Sequence, residues 1–259
     1  MLKRELPSLD MRFYRSPIFY VVSMLNEVLL IISLVVSFGA VVCSLWLFEK
    51  SGVYVWIAIC AILANIEVTV LVFAFGMEQT LGNTLFASSF LATDILSELF
   101  GKKEASKGVF IGIFTTLVFI VFSSLWVHYI PSENDWAFAS IKQLFSNTPR
   151  ILLASLIGYV LSEILDVFLY HFCWNLTETR SGDKSRFLWL RNNFSTLISQ
   201  LVNIVVFNLG AFWGIYNFST LLSITVSCYV IYIVTSLLDT PFIYLARFIW
   251  SKKNNSHLS

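Results

Sequence analysis

Residues 151–173 read ILLASLIGYVLSEILDVFLYHFC, an apolar run that is interrupted by two acids, Glu163 and Asp166. A helix needs about 20 apolar residues to cross the hydrocarbon core of a bilayer, and this run is long enough. A charged side chain near the bilayer centre costs roughly 2.5–3.5 kcal/mol on insertion scales, so it seldom lies there without a partner or a function. The stretch therefore predicts a membrane-spanning helix that faces a polar interior between helices.

The composition of the whole chain agrees with this prediction. Of its 259 residues, 57% are hydrophobic and 13% are charged, whereas soluble domains are about 45–50% apolar and about 25% charged. The apolar residues lie in long blocks and not in an alternating pattern, which argues against a β-barrel. The sequence thus predicts an all-α, polytopic transmembrane bundle in a lipid bilayer. The net charge of +1 gives no reason to expect a nucleic-acid partner.

Seven segments are long and apolar enough to cross a bilayer by this measure. Lys and Arg are concentrated after the third and fifth segments and in the C-terminal tail, so the positive-inside rule predicts that these three regions are cytoplasmic. The N-terminus would then lie outside although it carries four basic residues, and the sequence leaves open whether the first segment crosses fully. The connection at 131–148 is expected to hold a short interfacial helix. The segments are roughly 24–48, 53–75, 82–100, 108–130, 149–173, 192–217 and 220–247.

Further carboxylates interrupt the other apolar segments. Glu67 lies in the second segment, and Asp94 and Glu98 lie one helical turn apart in the third. The third and fifth segments both run toward the cytoplasm, and the sixth begins there, so their polar residues are expected to converge. Arg191 opens the sixth segment at this level, and we expect it to pair with a carboxylate such as Asp166 or one of the acids of the third segment.

The sixth segment carries a polar stripe on an apolar helix. Asn192, Thr196, Gln200 and Asn203 recur at i, i+4, i+8 and i+11, which places them on one face. Because amides offer both donors and acceptors, this stripe is suited to read the edge of a heteroaromatic ring. The alternative is that these residues only join helices, with each hydrogen bond contributing about 0.6 kcal/mol.

Two other acids have two interpretations each. Glu67 is either a gating or coupling carboxylate or a protonated, hydrogen-bonded core residue. Asp239 precedes Pro241 in the seventh segment, where it either caps the helix that follows the proline or contributes to a ligand site. The sequence leaves both questions open.

Four strings carry a resemblance to a known family: LGNTLFASSFLATDILSELFGKKEA, IGYVLSEILDVF, RNNFSTLISQLVN and SLLDTPFIYLA. They resemble the queuosine-precursor transporters, also called the vitamin uptake transporter family, from about Trp56 to Arg247. The resemblance implies a six-helix core similar to the substrate-binding subunits of energy-coupling-factor importers, with an extra N-terminal apolar helix. It divides the chain into a leader with the extra helix (1–50), a transporter core (51–250) and a cytoplasmic tail (251–259). It also implies an inner-membrane location.

The resemblance implies a substrate site for a 7-deazapurine: preQ0, preQ1 or queuine. Carboxylates of the site would accept from the guanine-like N–H edge, while Gln200 and Asn203 would meet the carbonyl side. Two departures from the family pattern stand out: Glu67 and Val70 replace a Gln and a Lys, and Asn203 replaces an Asp. They represent either the loss of an ion pair or a changed substrate preference. The implied binding residues are Asn65, Glu67, Asp94, Glu98, Asp166, Arg191, Asn193, Ser195, Thr196, Gln200 and Asn203.

The expected function is therefore import and not catalysis, with no cofactor and no metal site. No Walker motif occurs, so the energy would come from an ion gradient, a partner, or trapping of the base downstream. The excess of buried acids is compatible with proton coupling. The alternatives are a substrate-binding subunit of a multi-component importer for another vitamin-like heterocycle, and an intramembrane aspartyl hydrolase. The absence of GxGD, HExxH and GxSxG signatures argues against the hydrolase. The sequence leaves homo-oligomerisation open.

Overall fold

The computed structural model describes residues 17–146, 149–181 and 187–256. Within these ranges the chain forms seven α-helices and one two-stranded antiparallel hairpin, which confirms the predicted all-α bundle. The elements in chain order are α1 (Pro17–Glu67), β1 (Leu71–Ala74), β2 (Met77–Thr80), α2 (Gly82–Phe100), α3 (Lys102–Trp126), α4 (Phe138–Ser146), α5 (Pro149–Ser181), α6 (Leu188–Phe212) and α7 (Phe218–Ser256).

The first helix, α1, reverses direction at Glu49, whose backbone has φ 55° and ψ −141°. A straight helix would carry the chain about 60 Å away from Asn26 before it ended, at 1.5 Å per residue. Instead, Asn26 Nδ2 donates a hydrogen bond of 3.0 Å to the carbonyl oxygen of Phe73, just beyond the end of the helix. The helix therefore consists of two antiparallel arms, residues 17–48 and 50–67.

A glycine makes this sharp reversal sterically acceptable. A Cβ atom at Gly52 would collide with the carbonyl oxygen of Ser44 in the first arm, so a side chain there would force the arms apart. The first arm thus runs from one end of the bundle to the other. Its far end contacts the C-terminal helix, where Lys253 Nζ lies 2.9 Å from Glu49 Oε1.

The β-hairpin corrects the prediction for the second segment. A helix was expected over 53–75, but it ends at Glu67, and the following residues pair from Leu71↔Thr80 to Ala74↔Met77. The two-residue turn consists of Phe75 (φ 55°) and Gly76 (φ 74°), the positive values that tight hairpins require. A short, fully apolar run does not distinguish a strand from a helix by its periodicity, and here β-branched and aromatic residues favour the strand.

Within the described ranges the chain passes through the bundle seven times, in the two arms of α1 and in α2, α3, α5, α6 and α7. The passes alternate in direction between two ends. One end, which we call the basic end, contains two ion pairs: Lys50 with Glu104 at 3.0 Å and Lys253 with Glu49 at 2.9 Å. The opposite end, which we call the hairpin end, contains the β-hairpin, the start of α5 and the end of α6. Arg150 of α5 joins these two helix ends by donating hydrogen bonds to the carbonyls of Gly210 and Trp213.

One helix, α2, lies at the centre of the bundle, and most of its residues from Gly82 to Ser97 are buried. The core around it includes Phe38 and Ile57 from the two arms of α1 and Leu91 from α2 itself. Judged by length and composition, five helical stretches of the described chain can cross a membrane, and α2 is not among them. They are Ser23–Glu67, Lys102–Trp126, Arg150–Glu178, Leu188–Phe212 and Phe218–Lys253.

The short helix expected within 131–148 is present as α4. Its first turn is capped by Asp135, whose Oδ2 accepts a hydrogen bond of 2.7 Å from the Phe138 backbone N–H. This helix does not traverse the bundle. The connection therefore lies at the hairpin end, between the end of α3 and the start of α5.

Candidate functional site

A buried ion pair joins α2 to α6 near the basic end. Arg191 is fully buried, and its Nη2 and Nε atoms lie 2.5 Å and 3.0 Å from Glu98 Oε2. The Tyr170 hydroxyl donates to the same oxygen over 2.8 Å, and Arg247 Nη1 lies 3.5 Å from Oε1. The guanidinium carbon lies 4.3 Å from the centroid of the Trp174 ring. The expected ion pair of Arg191 is confirmed, and it ties four helices together at this end.

Three buried acids, which we call the acid layer, lie next to this pair. They are Asp94 on α2, Asp166 on α5 and Asp239 on α7, none of them more than 1% exposed. Thr196 Oγ1 donates to Asp94 Oδ2 over 3.2 Å, and Asn192 Nδ2 donates to Asp239 Oδ1 over 2.7 Å. Both donors belong to the polar stripe of α6, so this helix supplies hydrogen bonds to acids from two neighbouring helices.

Asp166 differs from the other two acids of the layer. Ser195 and Ser199 lie close to its carboxylate, yet neither oxygen has a hydrogen-bond partner of acceptable geometry. An unpaired buried carboxylate is costly, because the charge is removed from water without compensation. This position therefore calls for a positive charge or a proton.

Asn193 lies on a different side of α6 and joins this helix to α7. Its Nδ2 donates to Thr240 Oγ1 over 2.8 Å and also to the Trp189 carbonyl, while its Oδ1 accepts from Ser236 Oγ over 3.1 Å. These three partners belong to α6 itself or to α7. The helix-joining interpretation of the polar residues on α6 thus describes Asn193, and also Asn192 through Asp239.

A cavity of about 150 Å³ lies at the hairpin end, between the hairpin and helices α2, α5, α6 and α7. Leu71 and Tyr216 at its edge are 61% and 41% exposed, so it communicates with the outside of the bundle. Its lining combines amide and hydroxyl groups with aromatic rings. The residues that line it are Val68, Leu71, Gln79, Thr80, Asn83, Phe86, Ser155, Asn203, Ile204, Phe207, Asn208, Phe212, Tyr216, Ile224, Cys228 and Tyr232.

The amides of this cavity include donors without a partner. Gln79 Nε2 and Asn83 Nδ2 are buried and make no hydrogen bond, although Asn83 Oδ1 accepts from Tyr232 OH over 3.1 Å. Deeper in, Asn203 Nδ2 is 3.4 Å from Gln200 Oε1, and Gln200 Nε2 is again unpartnered. Buried polar groups are nearly always satisfied in proteins, so these donors are available to water or to a polar ligand.

The residues expected from the sequence therefore fall into separate places. Asn203 lines the cavity, and Gln200 accepts a hydrogen bond from Asn203. Asn65 lies beside a second, much smaller cavity and donates to the Ala61 carbonyl over 2.6 Å. Glu67 is partly buried at the last position of α1. The others, grouped as above, are Asp94, Asp166, Ser195 and Thr196 in and around the acid layer, Glu98 and Arg191 in the ion pair, and Asn193 between helices.

The sequence did not anticipate three amide residues of the cavity: Gln79, Asn83 and Asn208. The first two flank the end of the hairpin and the start of α2, and they reach the cavity only because the hairpin folds back over the bundle. Asn208 could have been found, because it interrupts the apolar run VVFNLGAF on the same helix as the polar stripe.

Comparisons with known proteins identify a family and relatives of this chain. Residues 80–246 match a family model described as "Putative vitamin uptake transporter". A "Probable queuosine precursor transporter" of Bacillus subtilis (strain 168) is 37% identical over 202 residues, which is 77% of this chain and 85% of that protein. The "Queuosine precursor transporter" of Escherichia coli (strain K12) is 32% identical over 139 residues, 53% of this chain and 57% of that protein.

No solved structure matches this chain, so the expected similarity of the core to energy-coupling-factor subunits stays a prediction. The family match covers most of the bundle, including the acid layer, the ion pair and α6. The resemblance expected from the sequence is thereby confirmed. The chain is a multi-pass membrane protein and belongs to the vitamin uptake transporter family.

Proposed function

We propose that this protein imports a queuosine precursor, a 7-deazapurine base, and binds it first in the cavity at the hairpin end. The names of its relatives support the substrate class. The observation that carries the proposal is the cavity of about 150 Å³, because its lining includes the buried, unpartnered amide donors of Gln79 and Asn83. Ligand pockets usually measure about 300–1,000 Å³, so this one suits a small ligand.

The chemistry of the lining fits a flat base with a polar edge. A guanine-like edge presents N–H donors and a carbonyl acceptor, and the amides of Gln79, Asn83 and Asn203 offer both complements. The rings of Phe86 and Phe207 line the same cavity. Stacking of a base on an aromatic ring contributes about 1–3 kcal/mol, and it does not depend on the substituent that distinguishes one deazapurine from another.

The polar stripe of α6 offers a route from this cavity into the bundle. It leads from Asn203 through Gln200 and Thr196 to Asn192, beside the acid layer. The buried pair of Arg191 and Glu98 blocks the route at the basic end. In this arrangement the cavity is open at one end while the other end is closed, as alternating access requires. Release of the base at this end therefore requires Arg191 and Glu98 to move apart.

Orientation follows from the distribution of basic residues. The basic end carries Lys50, Lys102, Lys103 and Lys253, and the positive-inside rule assigns such an end to the cytoplasm. We therefore infer that the C-terminus is cytoplasmic, that the cavity faces outward, and that the protein lies in the plasma (inner) membrane. The base then enters from outside and leaves toward the tRNA-modifying enzymes.

The test is the queuosine content of tRNA in cells that lack both deazaguanine synthesis and their own importer. The cells express this chain, and preQ0, preQ1 or queuine is supplied separately at low concentration together with the enzyme that uses it. Queuosine formed with one base supports import and identifies the substrate. No queuosine with any of the three, despite expression in the membrane, contradicts the proposal. A requirement for an added ATPase complex would instead indicate a subunit of a multi-component importer.

A further inference from the structure

The acid layer contains more negative groups than the neighbouring cation can compensate. Arg191 is the single Lys, Arg or His among the buried residues that the structure describes, and its guanidinium engages Glu98. Asp94 and Asp166 lie close to each other on facing helices, both 0% exposed. We propose that these two aspartates hold one monovalent cation, a sodium ion or a proton, which travels with the substrate. The coupling to substrate rests on the proposed function, whereas the binding of the cation does not.

The hydroxyl groups around Asp166 can serve as further oxygen ligands of a cation, because each has another acceptor for its proton. Ser195 Oγ donates to the Asn192 carbonyl over 3.2 Å, and Ser199 Oγ donates to the Ser195 carbonyl over 2.7 Å. Thr196 Oγ1 donates to Asp94 over 3.2 Å. A hydroxyl oxygen has lone pairs beside its one proton, so Ser195, Ser199 and Thr196 can each offer a lone pair to a cation at Asp166 while the proton is donated to these acceptors.

A buried carboxylate surrounded by hydroxyl oxygens is stabilised when a positive charge lies among them. Oxygen ligands are what hard cations prefer, and buried acids of transporters carry protons or bind sodium near the membrane midplane. The described residues form no group of three or more His, Cys, Asp or Glu side chains suited to a metal ion. Two carboxylates and neutral hydroxyls therefore favour a single charge over a divalent metal.

A neighbouring acid on the same helix shows the contrast. Glu163 is equally buried, but Ser89 Oγ donates to its Oε1 over 2.9 Å and Thr93 Oγ1 lies 3.1 Å from its Oε2. The unpartnered oxygens therefore distinguish Asp166 from a buried acid whose oxygens both have partners. The titratable or charged groups that face the Asp94–Asp166 pair are Glu98 on α2, Glu163 and Tyr170 on α5, Arg191 on α6 and Asp239 on α7.

The place of the layer in the bundle connects the cation to the base. Thr196, which donates a hydrogen bond to Asp94, is one helical turn from Gln200. Gln200 in turn accepts a hydrogen bond from Asn203, which lines the cavity. In the other direction, Asp94 is one turn from Glu98 of the closing ion pair. A cation that neutralises the layer therefore acts between the substrate cavity and the closed end.

The test measures cation binding without any base. Thermal unfolding of the purified full chain in detergent is followed by the fluorescence of its eight tryptophans, in NaCl and in choline chloride of equal ionic strength at several pH values. Sodium at about 100 times its dissociation constant is expected to raise the Tm by about 5–10 °C. If the charge is a proton, the rise appears on acidification and is independent of sodium.

Three variants decide the outcome. Asp166→Asn should lose the response to sodium or weaken the response to acid, because one of the two anionic ligands is gone, while Glu163→Gln should keep the response to sodium. Ser199→Ala removes one lone-pair ligand and should weaken the response several-fold, and it serves if Asp166→Asn fails to fold. A wild-type Tm that responds to neither sodium nor pH overturns the proposal. An unchanged response in both the Asp166 and Ser199 variants also overturns it. Failure of base import would leave this result standing, since no base is present.

Discussion

Replacing Glu98 by Gln tests how strongly the buried ion pair holds the basic end together. In the wild type, Glu98 Oε2 receives hydrogen bonds from Arg191 Nη2, Arg191 Nε and Tyr170 OH at 2.5 Å, 3.0 Å and 2.8 Å. The variant leaves a fully buried guanidinium without its carboxylate. Breaking a buried pair in this way costs about 3–5 kcal/mol. For a chain of this size that corresponds to a fall in Tm of about 6–20 °C.

The measurement is thermal unfolding of purified protein in mild detergent, with Glu104→Gln as the matched control. Glu104 also pairs with a lysine, but at the exposed basic end, where an ion pair contributes little. We expect the control to change the Tm far less than Glu98→Gln does. Equal Tm values for Glu98→Gln and the wild type would refute the reasoning, because they would mean that the buried arginine needs no carboxylate.

Three further predictions concern the reversal of α1 and the cavity. Gly52→Ala should destabilise the fold by about 1–3 kcal/mol, because its Cβ collides with the backbone of the first arm; an unchanged unfolding midpoint would contradict this. Asn83→Ala should lower the rate of base uptake roughly tenfold at limiting substrate, the equivalent of one lost hydrogen bond of about 1.4 kcal/mol, whereas Gln143→Ala, an exposed amide on α4, should leave uptake unchanged. Gly158→Ala places a Cβ 2.6 Å from Asn203 Oδ1 and should reduce uptake by displacing that amide; uptake equal to the wild type would show that the amide is not used.

The number of passes and the buried charge pair were predictable from the sequence because both follow from solvation. An apolar run of 20 residues has few stable alternatives to a helix in lipid. An arginine at the start of an apolar helix needs a carboxylate, and Glu98 in the last turn of α2 is within reach. Neither inference needed knowledge of distant packing.

The hairpin and the cavity could not be predicted in the same way. The apolar residues from Val68 to Phe75 favour burial in either a helix or a strand, and periodicity does not decide between them. Gln79 and Asn83 read as ordinary polar residues of a connection, since their role depends on a turn at Phe75 and Gly76 that brings the strand back. The cavity is thus a product of tertiary structure and not of any single segment.

The hairpin is also fastened to the first arm of α1, at a point outside the family-matched residues 80–246. Asn26 Nδ2 donates to the Phe73 carbonyl, and Glu27 Oε1 accepts from the Phe75 backbone N–H over 2.9 Å. The opposite strand supplies Gln79 and Thr80 to the cavity wall. The first arm therefore holds the hairpin in place: loss of these two hydrogen bonds would make one wall of the cavity more mobile, while the residues that line the cavity stay the same.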